Sequence, residues 1–141
     1  GMVGGQVMDI LYDGKEGSKN ILQYIHMHKT ATLIRASVRI GAIAGSAKAK
    51  ELKNFTKYGE CIGLAFQIMD DILDTEGDEE IVGKRLKKDV NKQTYIKHYG
   101  ILASKYKLEQ LVNEAIQSVD FLGENARILK EIAQYIGNRV S

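Results

Sequence analysis

The 141 residues suit one domain with room for a core, and 44% apolar against 27% charged residues is the balance of an ordinary globular chain, neither disordered nor membrane-spanning. A formal charge of +2 is too small to argue for nucleic acid, and neither a signal peptide nor a run of about 18 apolar residues is visible. Proline is absent, aromatics are few, and Ala, Leu, Ile, Lys and Glu abound, so the chain reads as all-α. Its one cysteine, Cys61, sits in an apolar helical run and reads as a buried free thiol in a reducing cytoplasm.

The opening Gly1 to Leu11 reads as a glycine-rich helix, because glycine costs helix stability unless a neighbour must come close. It is expected to end near Asp13-Gly14. Asp9 and Asp13, one turn apart, fit a solvated face as well as a functional one. Ser18 is a candidate N-cap for residues 18–45, one long or broken helix with Ile21, Leu22 and Ile25 on one side. His26 and His28 differ by two, poor spacing for a shared metal on a helix, so both read as surface or supporting histidines. Lys29 matters only if it points into a bundle. Ala42, Ala44, Gly45 and Ser46 permit close packing before a turn.

From Ala47 to Thr75 the pattern is too apolar for a surface helix, so this is the expected central one. Its closing stretch, Phe66-Gln67-Ile68-Met69-Asp70-Asp71-Ile72-Leu73-Asp74, puts three carboxylates inside a core pattern. Asp70 and Asp74 share a face, with Asp71 beside them. No cation lies at helical spacing to relieve their repulsion, so an imported hard divalent ion, Mg²⁺ first, makes sense of the arrangement. Positions 70–80 hold seven acids, whereas 84–92 hold Lys84, Arg85, Lys87, Lys88 and Lys92 against Asp89 alone. Residues 76–94 therefore read as a loop, either a working lid or a solvated run whose bases neutralise the acids. Two amphipathic helices are expected at 101–121 and 124–139, with a stop at Leu122-Gly123. One stripe holds Leu108, Leu111, Val112, Ala115, Ile116 and Val119, the other Ile128, Leu129, Ile132, Ala133 and Ile136. Packing is their expected role.

Gly1-Met2-Val3-Gly4-Gly5-Gln6 with Asp9, His28-Lys29-Thr30, Phe66-Gln67 through Asp74, and Gly83-Lys84, Lys88-Asp89 and Lys92 to Tyr95 occur in a familiar order. In that order the chain resembles the C-terminal half of a trans-isoprenyl diphosphate synthase, the polyprenyl synthetase family that includes farnesyl and geranylgeranyl diphosphate synthases. The resemblance implies the C-terminal half of an isoprenoid synthase-type helical bundle. It also implies a Mg²⁺-dependent prenyltransferase that joins an allylic diphosphate to isopentenyl diphosphate. Asp70 chiefly, with Asp71 and Asp74, would then hold Mg²⁺. Lys29 and Lys84 would grip the allylic diphosphate, with Thr30, Phe66 and Gln67 lining the pocket, Gln6 and Asp9 nearby, and Lys92 as a further substrate contact.

Two departures stand out. The step from Asp89 to Lys92 is shorter than the family pattern, and only one aspartate-rich cluster is present where the family has two on facing helices. The expectation is therefore a piece of a larger synthase domain, beginning inside a family motif, inactive alone, from a cytoplasmic homodimer. A non-catalytic helical subunit pairing with a catalytic chain is the alternative. A terpene cyclase relative is a third reading, against which the Lys-Thr pair and the Phe-Gln before the aspartates argue.

Overall fold

The computed structural model describes residues 1–81 and 94–139, with side chains of 77–81 left aside. Among these residues the chain is helical without strands, as expected: α1 Met2–Leu11, α2 Lys19–His26, a π-helical turn Met27–Ala31, α3 Thr32–Ala44, α4 Ala49–Ile81, α5 Tyr95–Tyr99, α6 Ile101–Ser118, a 3-10 segment Asp120–Ala126, and α7 Arg127–Gly137. The Ser18 hydroxyl caps α2 by accepting from the Ile21 N–H at 3.4 Å. The stretch from α2 to α3 is one rod interrupted by the π turn.

The core gathers around α4, whose Tyr58, Ile62, Ala65, Ile68, Met69 and Ile72 are buried against Leu108, Leu111 and Ala115 of α6 and Ala133 and Ile136 of α7. Tyr58 shows how tightly this region closes. Its hydroxyl donates to the Leu129 carbonyl at 2.7 Å, and burial pushes its phenol up to about 12. On the opposite face α4 meets α3 and the π turn through glycine: a Cβ on Gly59 would lie 2.7 Å from Arg35 Cα, and one on Gly63 would lie 2.5 Å from Ala31 Cα. Neither position accepts a larger residue without moving a helix. Cys61 is buried and free, and burial raises its thiol to about 11.

Two boundaries differ from the sequence reading. Helix α4 runs on to Ile81, so residues 76–81 are helix rather than loop; no proline interrupts them, and Lys105 of α6 pairs with Glu76 to hold that extension. The last helix begins at Arg127 rather than 124, because Gly123 takes a positive φ of 57° and a 3-10 segment fills the turn. Residues 82–93, with Lys84 and Lys92, lie outside the described residues.

Candidate active site

The site is built where α1 crosses the π turn. Gly5 makes the crossing possible: a Cβ there would sit 2.2 Å from the Lys29 backbone nitrogen. One turn further along α1, Asp9 accepts a 2.6 Å bond from Lys29 Nζ. The π turn widens the helix locally, and Thr32 Oγ1 donates to the Met27 carbonyl at 2.8 Å. Such single-turn π segments concentrate at functional positions. Lys29 is thus held against α1, not left to solvent.

On α4, Asp70 lies 3.0 Å from Arg139 Nη2, and the Arg139 guanidinium also stands 4.7 Å over the Phe66 ring. Burial raises the Asp70 carboxyl above the usual carboxylate range; Arg139 pulls it back, Asp71 pushes it further up, and the Lys29 charge lowers it. Lys29 and Arg139 therefore both act on Asp70 electrostatically. Along α4 itself no cation relieves the carboxylates, as the sequence suggested, but Arg139 does so from beyond α7.

Asp71 has different company. Its Oδ2 accepts the Tyr95 N–H at 2.6 Å and lies 3.4 Å from His26 Nε2. Asp74 is exposed, Gln67 and Thr30 are half-buried, and Gln6 is exposed on α1. The structure thus brings Asp9, Lys29, Phe66 and Asp70 into one electrostatic neighbourhood and ties Asp71 elsewhere. His28 is not involved; it stacks on Tyr24 with ring centroids 4.0 Å apart.

Among the described residues no three His, Cys, Asp or Glu side chains converge as a metal cage. Mg²⁺ does not need one: it keeps waters and binds through one or two carboxylates plus substrate phosphates. Asp70 with Asp74 fits that donor set, and the guanidinium against Asp70 shows that the position accepts a cation. A cavity of about 710 Å³ lies between α4, α6 and α7, lined by Met69, Leu73, Leu108 and Arg139 among others, but by none of Asp9, Lys29 or Asp70. The charged groups form an open face.

A family description, Polyprenyl synthetase, matches residues 1–136. The chain belongs to the polyprenyl synthetase family. Its curated relatives include the farnesyl diphosphate synthase of Escherichia coli (strain K12), 42% identical over 145 residues that cover 99% of this chain and 48% of the relative. Among solved structures, an FPP/GFPP synthase from Zymomonas mobilis superposes with a TM-score of 0.84 at 30% identity, over 96% of this chain and 45% of that one. The geranyltransferase from Helicobacter pylori complexed with magnesium and isoprenyl diphosphate matches with a TM-score of 0.74 at 32% identity, over 98% of this chain and 46% of that one. The chain spans about half the length of the curated relatives it matches.

One residue of this neighbourhood escaped the sequence reading, and a second was read only in part. Arg139 follows a helix that read as packing only, 69 positions beyond its partner Asp70, and no local period could join them. His26 read as a surface or supporting histidine, yet it is 3% exposed. Its place beside Leu22 and Ile25, on the buried side of α2, was the available signal.

Proposed function

We propose that these residues form one wall of a prenyl-transfer site that condenses an allylic diphosphate with isopentenyl diphosphate. In that reaction the allylic carbon–oxygen bond ionises, the isopentenyl double bond attacks the carbocation, and loss of a proton leaves a longer prenyl diphosphate. Negative charge grows on the departing diphosphate. Fixed cations already in place stabilise that charge more than mobile water does. Lys29 is such a cation, oriented by Asp9 from a π turn. Thr30 and Gln67 would line the allylic and isopentenyl pocket, with Gln6 and Asp9 behind them, and Lys84 and Lys92 would add positive charge. Mg²⁺, held by Asp70 chiefly and Asp74, would neutralise diphosphate oxygens when bound.

The observation that carries this reading is the 2.6 Å Lys29–Asp9 bond on the face where Lys29 acts on Asp70. Because the chain spans half the length of its relatives, the activity is proposed for a larger assembly containing it. A homodimer in the cytoplasm belongs to the same proposal. The exposed Val3, Val7, Ile10 and Leu11 of α1 support pairing, and the free Cys61 thiol supports a reducing compartment. The test is calorimetric titration of the chain with pyrophosphate, with and without Mg²⁺, in wild type and Lys29→Ala. Loss of pyrophosphate binding in the variant is the expected result; unchanged binding would remove Lys29 from the site.

A further inference from the structure

Asp70 and Asp71 are adjacent carboxylates on one helix, and the second already holds two partners on one oxygen. Its Oδ2 accepts the first backbone N–H of α5, from Tyr95, at 2.6 Å. The same oxygen lies 3.4 Å from His26 Nε2, with His26 side-chain exposure of 4% and Asp71 of 15%. Of the two ring nitrogens, Nε2 is the one that faces Asp71. Among the described residues Nδ1 is buried without a hydrogen-bond partner. Among the described residues Asp71 is the ion-pair partner of the imidazole, and desolvating a ring for so few contacts is costly. The Tyr95 ring lies nearly parallel to the imidazole, 18° between planes with centroids 6.4 Å apart, and stacks on Tyr99 at 4.4 Å. Three elements, α2, α4 and α5, meet at one carboxylate oxygen.

We propose that His26 is a positioning residue acting through Asp71: together with the Tyr95 N–H it clamps the acid turn of α4, so that of the adjacent pair only Asp70 is presented to the incoming cation. Asp71 is then an anchor, not a metal ligand. The clamp fixes the rotation of α4 about its axis, and neighbouring helix positions differ by about 100° in direction, so holding Asp71 inward sets where Asp70 points. The metal role of Asp70 rests on the function proposed above; the clamp does not.

Two measurements on the 141-residue chain separate these claims. The first is amide hydrogen exchange at Tyr95, followed by NMR, in wild type, His26→Leu and His26→Gln. Leucine keeps the bulk and removes the donor, whereas glutamine retains an N–H that can reach Asp71. Exchange at Tyr95 should rise about tenfold in the leucine variant and return towards wild type with glutamine, while amides of Ile62 and Ile68 stay protected. If leucine leaves Tyr95 exchange unchanged, the clamp is wrong. Should His26→Leu not fold, His26→Asn, whose shorter amide cannot span the gap, is read by the same criterion.

The second measurement is Mg²⁺-dependent pyrophosphate affinity. Groups that orient a metal ligand typically cost roughly 10–100-fold when removed. His26→Leu should weaken the Mg²⁺-dependent affinity about tenfold, with glutamine restoring most of it. Asp71→Asn, which still accepts from Tyr95, should change it by less than about threefold, whereas Asp70→Asn should abolish the metal effect. Asp71→Asn as damaging as Asp70→Asn would make Asp71 a ligand and overturn the proposal. If wild-type chain shows no Mg²⁺-dependent binding at all, the functional reading fails, and the clamp is decided by Tyr95 exchange alone.

Discussion

The two sides of the α4 acid turn carry the same chemical group in opposite settings. Asp70 faces cations on an open surface, Arg139 at 3.0 Å and the Lys29 charge beyond it, and its carboxyl is raised by partial burial. Asp71, the next residue, is stitched to α2 and α5. Identical side chains thus meet different surroundings: in the proposed site one carboxylate exchanges its partner for an incoming ion, and the other holds the helix still. Fixed cations lie along the Asp70 side, and among the described residues no group of three or more His, Cys, Asp or Glu side chains gathers there.

The largest expected effect tests the proposal that a larger assembly supplies the other wall of that side. The 141-residue chain alone, given radiolabelled isopentenyl diphosphate, an allylic diphosphate and Mg²⁺, should form no measurable prenyl product beside a full-length relative. Removing one group that stabilises the departing charge costs roughly a hundredfold, and a whole wall holds several. Elongation at a rate like the relative's would show that the open side is already complete.

A second prediction concerns the packed side. Ile68 is fully buried in the α4 core, so Ile68→Ala should lower unfolding stability by about 2–5 kcal/mol in denaturant titration. A loss below about 1 kcal/mol would mean that the α4 core is looser than the burial indicates.

Arg139→Gln sharpens the comparison on the open side. It removes the cation that occupies Asp70 and should strengthen Mg²⁺ binding in the absence of diphosphate by about threefold, an exposed pair being worth roughly 0–1 kcal/mol. Weaker Mg²⁺ binding in this variant would mean that Arg139 assists the metal and does not compete with it.

The smallest effect is a pH dependence. Asp70 has its folded carboxyl raised above the ordinary value, chiefly by burial, so the native state holds its proton more tightly than the unfolded chain does. Between the unfolded and folded values, stability falls as pH rises, and at neutral pH the ionised group is a net cost. Asp70→Asn should therefore stabilise the chain slightly at pH 7, by less than about 1 kcal/mol after solvent screening, and not at pH 3. Equal shifts at both pH values would contradict the assignment.

Periodicity made much of this fold legible. Of the stripe read on α6, Leu108, Leu111, Ala115 and Val119 are buried and Val112 and Ile116 half-buried, because a 3.6-residue repeat reports directly which side of a helix avoids water. The same logic overreached on α7, where Ala133 and Ile136 are buried but Ile128 and Ile132 are 63% and 43% exposed. A stripe shows that a face is apolar without showing how much of it finds a neighbour. Lys29 and Asp9 were legible as motif members, although their mutual bond depends on Gly5 letting two helices touch. Arg139 and the inward turn of Asp71 were not legible, since both depend on which distant elements arrive at α4. The 76–81 extension was missed for a related reason: its acids suggested a loop, while the absence of proline and the Lys105–Glu76 pair favour helix.

In the proposed site Asp70 and Lys29 together receive a metal diphosphate. Calorimetric titration with pyrophosphate, repeated at several Mg²⁺ concentrations in wild type and Asp70→Asn, tests it most directly. The account predicts that Mg²⁺ strengthens pyrophosphate binding at least about tenfold in wild type, and that the gain disappears in the variant while weak, Lys29-dependent binding persists. An undiminished Mg²⁺ effect in Asp70→Asn would contradict it.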